Sequence, residues 1–236
     1  MPTVLIIGAG LNTGKAAAET FLAAGYQVAV ASRTQKLDSK YPYYAFDASK
    51  PETVPTLFEK VSADLGAPSV VIYISAAGHT SPPENPFDME LEEFRRGLSI
   101  NTTSPYYAAR EAVRSFEKLG PYGLGPDGGS FLFVGNGLNT IALPGFMSFA
   151  IQKGATSHMI QNLALAEYDS KPYKFYYLDE RHADGTYVTS DLSGIGHAKE
   201  FLKLAKDRKQ GPWDYTFVSG KGYEKFPPVE VMAWNP

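Results

Sequence analysis

The sequence has no cysteine, so disulfides, thiolate nucleophiles and thiolate metal sites are excluded. It has no apolar run near the ~18 residues that a membrane-spanning helix needs. No block of Lys and Arg marks a nucleic-acid surface, and the charge is nearly balanced, with 22 Lys+Arg against 25 Asp+Glu. His79, His158, His182 and His197 lack metal-ligand spacing, so no metal site is expected. The chain enters its first apolar stretch at once, without the pattern of a secretion signal. The expectation is a cytoplasmic protein with neither a membrane nor a nucleic-acid partner. In that setting the glycosylation sequon Asn101-Thr102-Thr103 is incidental.

What is present fits one α/β domain over residues 1–236, long enough for a large core and 44% apolar. Val4 to Ile7 form a short continuous apolar run, the pattern of a strand buried on both faces of a parallel sheet. Gly8 and Gly10 follow directly, then Asn12, Thr13 and Gly14, and then a helical pattern closed by Gly25. In this strand–turn–helix context Gly8 permits a tight turn and Gly10 lets the backbone approach a pyrophosphate. The amides from Asn12 to Gly14 meet its negative charge.

Further strands are expected at 26–31, 43–46, 69–74, 130–134, 174–178 and 215–218. Helices are expected at 51–66, from 88 onward through Asn101, at 146–168 and at 196–207. Residues 120–129 read as a glycine-rich loop, and 179–193 as a polar loop. Strands alternating with helices imply a doubly wound, mostly parallel, three-layer Rossmann-like sheet whose ligand sits at the strand C-terminal ends.

These markers, in this order, resemble the short-chain dehydrogenase/reductase (SDR) family. Gly8 and Gly14 match its first motif TGxxxGxG, with Ile7 in place of the Thr and Asn12 in place of the middle Gly. Asp47 stands at the acidic residue that touches adenine, with Ala48 beside it. Ser75-Ala76-Ala77-Gly78 occupies the NNAG position. Asn101 matches the asparagine of the proton relay, and Lys153 matches the lysine of YxxxK. The resemblance implies that the tyrosine of YxxxK is replaced by Phe149, and the catalytic serine by Asn136 or its neighbour Gly135. A phenyl ring has no proton to transfer, and an amide is no acid. Simple ketones are then reduced slowly unless another residue carries the proton; Tyr176, Tyr177 and His182 are the first candidates. One of the two strand tyrosines should face the core.

The second expected strand ends in Ser32 and Arg33 with Lys36 nearby, which suits a 2′-phosphate and favours NADP(H). The resemblance implies an oxidoreductase with altered acid catalysis, acting on a small-molecule carbonyl or iminium, with Asp179 or Asp184 available to stabilise a cation. Alternatives are a non-redox cyclase or isomerase and a non-enzymatic NADP(H)-binding regulator, separated by cofactor oxidation and by turnover without it. Family practice and the apolar positions Tyr106, Tyr107, Met159 and Ile160 imply a homodimer or homotetramer through the Asn101 and Lys153 helices.

Overall fold

A computed structural model describes residues 1–82, 84–189 and 191–229. Among them, eight strands form one sheet in the order β3-β2-β1-β4-β5-β6-β7-β8. The strands are β1 (Thr3–Ile7), β2 (Gln27–Ser32), β3 (Tyr43–Ala45), β4 (Val70–Tyr73), β5 (Gly129–Val134), β6 (Tyr173–Arg181), β7 (Asp214–Val218) and β8 (Gly222–Tyr223). All neighbours pair in parallel except β7 with β8. The helices are α1 (Thr13–Ala23), α2 (Val54–Leu65), α3 (Leu91–Leu98), α4 (Ser104–Leu124), α5 (Met147–Asn162) and α6 (Gly194–Lys206). The doubly wound, three-layer fold expected from the sequence is the one observed.

The strand alternation fills two apolar layers. Leu5, Val71, Phe131, Phe175 and Tyr177 face α2, α4 and α5. Val4, Ile72, Leu132, Tyr176 and Phe217 face α1 and α6. Both strand tyrosines are therefore buried, one in each layer, because helices cover both faces. Ile160, expected on an oligomer surface, is wholly buried in the first layer, and Met159 packs against it. Tyr106, Ile151 and Leu165 remain exposed. Among the described residues no helix is long and apolar enough to cross a membrane.

Three boundaries differ from the sequence expectation. The strand expected at 174–178 continues through Arg181, because Tyr177 to Arg181 pair with Asp214 to Val218 of β7. Of its three added charges, Asp179 and Arg181 pair with each other and Glu180 is held by Ser193 and faces His197, so 179–181 is sheet and not polar loop. Within residues 120–129 the helix resumes after a break at Gly120 (φ 59°) and runs to Leu124. Pro121 explains this, since its fixed φ suits a first helical turn. The long helix starts at Leu91, not 88, and is interrupted by a π-helical turn at Ser99–Thr103. Such turns commonly mark functional sites, and this one carries Asn101.

The end of β5 is packed without slack. A methyl group at Gly135 would come 2.1 Å from the Tyr177 ring. The ring cannot retreat, because its hydroxyl donates to the Asn136 carbonyl at 2.8 Å and accepts from the Asn136 amide at 3.1 Å. Gly135→Ala should cost about 1–3 kcal/mol, the usual penalty of overpacking. At about 2–4 °C per kcal/mol for a chain of this size, calorimetry should record a clear fall in Tm.

Candidate active site

Two adjoining cavities open along the C-terminal ends of the strands, of about 490 Å³ and about 380 Å³, with Ile74 and Ala76 lining both. The first is walled by Gly8, Gly10, Ser32, Arg33, Asp47, Ala48, Ser75 and Ala77. Thr13, Asn136, Phe149, Lys153 and Asp179 line the second. The sequence-based candidates are thus largely brought together, split between the two compartments.

The glycines play different parts. Gly8 has φ 91°, and a methyl group there would strike the Ser75 amide at 2.4 Å, so β1 and β4 can end side by side only with glycine. A methyl group on Gly10 would enter open groove, its nearest neighbour 3.9 Å away. A methyl group on Gly14 would come 2.6 Å from Ala9 Cα, so glycine there lets α1 sit tightly on the turn. Asn12 turns away from the groove: Nδ2 donates to the Leu192 carbonyl at 2.8 Å and Oδ1 accepts from the Gly194 amide at 3.2 Å. It ties the turn to the start of α6 instead of capping α1. The first-turn amides of α1, Thr13 and Gly14, are therefore left for an anion.

The first cavity has cationic side chains at its rim. Arg33 and Lys36 are joined by Arg96 of α3, which the sequence did not single out. Asp47 accepts from the Ser49 amide at 3.0 Å and the Ser49 hydroxyl at 2.8 Å. The amide bond chiefly holds its carboxyl below the usual range. Ser32 donates to the Thr34 carbonyl at 2.8 Å.

In the second cavity the buried Lys153 Nζ donates to the Val134 carbonyl at 3.1 Å. It lies 4.6 Å from the centre of the Phe133 ring and 5.3 Å from that of Phe149. Burial drives its pKa down to about 7, against the opposing pull of Asp179. Asp179 is pushed up to about 6 by burial, in spite of its ion pair with Arg181 Nε at 2.6 Å. Glu180 accepts from the Ser193 amide at 2.8 Å, and its carboxylate is 3.3 Å from His197 Nδ1. The Asn136 side chain accepts from the Leu138 amide at 3.2 Å.

Asn101 is fully engaged behind this cavity. Its side chain accepts from the Ala77 amide at 3.1 Å and donates to the Ala77 carbonyl at 2.8 Å and Gln152 Oε1 at 2.7 Å. Its own carbonyl accepts from the Thr156 hydroxyl. It clamps the segment after β4 to α5. Of the acids named as substitutes, Tyr176 accepts from the Gly211 amide, Tyr177 is spent on Asn136, and His182 faces Asp191 at 3.5 Å. None of the three is among the described residues lining the cavity; Tyr187, which sequence reading missed, is.

Comparison with known proteins places this geometry. The family model described as "Enoyl-(Acyl carrier protein) reductase" matches residues 8–171. A relative from Cryptosporiopsis sp. (strain 8999), "Short chain dehydrogenase/reductase dmxR12", is 40% identical, with 96% of this chain and 95% of that protein covered. The 7alpha-hydroxysteroid dehydrogenase of Escherichia coli (strain K12) is 28% identical over 68% of this chain and 63% of its own. Among solved structures, "ElxO with NADP Bound" superposes with a TM-score of 0.76 at 15% identity, covering 92% of this chain and 96% of that one. The NADPH-dependent 3-quinuclidinone reductase from Rhodotorula rubra gives 0.72 at 20%, covering 94% and 91%.

The depressed Lys153 pKa has a consequence for stability. Below about pH 7 the lysine is charged in both folded and unfolded chains, and folding bears the full cost of burying the charge. Between about pH 7 and the ordinary value of 10.5 the unfolded chain binds the extra proton, so stability rises with pH. Lys153→Met should raise the Tm of the ligand-free protein most at pH 6–7, with the difference closing toward about pH 10, as thermal scans across that range would record.

Proposed function

The chain belongs to the short-chain dehydrogenase/reductase family, and from that premise we propose that it is an NADP(H)-dependent oxidoreductase reducing a small-molecule carbonyl, with its acid displaced from the usual tyrosine position. The observation that carries the reading is the pair of adjoining cavities, cationic at one end and holding Lys153 at the other. Residues 1–236 are read as one dinucleotide-binding domain. The exposed Tyr106, Ile151 and Leu165 are read as its homodimer or homotetramer face.

The donor set fits the nucleotide. Open space above Gly10 and the uncapped start of α1 suit the pyrophosphate, and Asp47 and Ala48 suit the adenine side. Arg33, with Ser32 and Lys36, suits a 2′-phosphate through charge-assisted bonds. Ser75, Ala76 and Ala77 line the nucleotide cavity up to its junction with the second, and Lys153 and Thr13 stand where the nicotinamide ribose and ring would lie. When bound, the nicotinamide supplies a hydride.

The chain's own residues decide what that hydride meets. Phe149 stands in place of the tyrosine acid and Asn136 in place of the serine, so neither gives a proton. An iminium substrate would need a net negative wall. Asp179 is instead paired with Arg181, Glu180 is held by Ser193 and faces His197, and Lys153 is a hydrogen-bond donor in the same cavity. That balance favours a developing oxyanion over a cation, and therefore a carbonyl.

The test is calorimetric titration with both nucleotides, followed by NADPH oxidation in the presence of an activated diketone. Arg33→Ala should weaken NADPH roughly 10- to 150-fold, from the about 1.5–3 kcal/mol of a charged hydrogen bond, and leave NADH unchanged. Equal affinity for the two nucleotides contradicts the assignment of Arg33. Turnover without NADPH consumption points to a non-redox enzyme, and binding without turnover of any substrate to a regulator.

A further inference from the structure

The cavity that Phe149 lines holds a phenol from a different element. After β6 the chain reverses near Gly185 and pairs Tyr187 with Arg181 through an antiparallel bridge. The Tyr187 ring lies on the Arg181 guanidinium, 4.7 Å from Cζ to ring centre. Its edge rests against Gly137, where a methyl group would come 2.2 Å from Cε1 and 2.3 Å from Arg181 Nη2. Arg181 is fixed in turn by Asp179 at 2.6 Å and by its bond to the Gly185 carbonyl at 3.1 Å. The ring is therefore held by Arg181 on its face and Gly137 at its edge, directly beyond the turn that carries Asn136.

Its hydroxyl is buried and has no hydrogen-bond partner among the described residues, although the residue lines the same cavity as Lys153 and Phe149. A buried donor left unpaired is uncommon and calls for an explanation. A carbonyl oxygen of a bound substrate would satisfy it.

We propose that Tyr187 is the catalytic acid, donating its proton to the substrate carbonyl oxygen from the strand return after β6 instead of from α5. The proposal rests on the carbonyl-reducing function above. As the hydride of the bound reduced nicotinamide dinucleotide adds to the carbonyl carbon, the C=O π pair moves to oxygen, and that oxygen takes the Tyr187 proton. The remaining phenolate lies on the Arg181 guanidinium and regains a proton from water that enters the cavity as the product leaves. Burial pushes the phenol up to about 12, with Arg181 pulling the other way. The group is therefore protonated at neutral pH and can act as a hydrogen-bond and proton donor. Leu138, Leu143, Val188 and Phe149 make the remaining wall apolar, which suits a hydrophobic, cyclic or aromatic ketone.

The test uses the whole protein, NADPH and 9,10-phenanthrenequinone as probe. Tyr187→Phe removes a hydroxyl that bonds to no described residue, so its Tm and NADPH affinity should match the parent. Its kcat should fall by about 10²-fold or more, the scale of general acid catalysis. A second readout needs no turnover. The ¹³Cζ tyrosine resonance that Tyr187→Phe deletes should shift when the quinone is added to the NADP⁺ complex. A parent protein that does not bind NADPH overturns the function on which the proposal rests. NADPH binding with undiminished kcat in Tyr187→Phe, or with a resonance that the quinone leaves unmoved, overturns the role of Tyr187 alone.

Discussion

The buried ion pair between Asp179 and Arg181, 2.6 Å long and almost closed to solvent, is the constraint on which the catalytic end of this molecule depends. It lets two charged residues enter the sheet, so β6 continues as far as β7 can pair with it. It presents a carboxylate near Lys153 and holds the guanidinium under Tyr187. Removing one partner of such a pair costs about 3–5 kcal/mol, while the intact pair adds little net stability over a well-packed apolar substitute. Its presence is therefore better explained by what it positions than by what it stabilises.

The same reasoning distinguishes the two cavities. The one at Arg33, Lys36 and Arg96 is cationic, and charges there are screened by salt. In the one at Lys153, burial of the side chains themselves has moved both Lys153 and Asp179 toward neutrality. Nucleotide capture at the first and proton management at the second are, in the proposed function, separate physical tasks, on either side of the shared wall residues Ile74 and Ala76.

Much of this was legible in the sequence. The apolar runs of the central strands and the glycines after β1 reflect strictly local requirements, and they fixed the sheet, the turn and the end at which a ligand would sit. Asn12 was legible as a departure from a glycine, but its partners Leu192 and Gly194 lie some 180 positions away, so its role as a tie between the turn and α6 was not. Arg96 reads as an ordinary charge on a polar helix until α3 is folded over the first cavity. Asp179 and Arg181 read as loop because charge argues against a buried strand, and only their pairing reverses that. Tyr187 sits in a polar stretch without periodicity. A tyrosine six residues after an arginine carries no signal until the chain turns back at Gly185.

The central claim is that one dinucleotide spans both cavities. A crystal structure of the protein with NADP⁺ tests it most directly. The account predicts the 2′-phosphate on Arg33, the pyrophosphate over Gly10 and the start of α1, and the nicotinamide beside Lys153 and Phe149 with Tyr187 facing the substrate space. A nucleotide whose nicotinamide lies outside the Lys153 cavity, or whose 2′-phosphate makes no contact with Arg33, would contradict it.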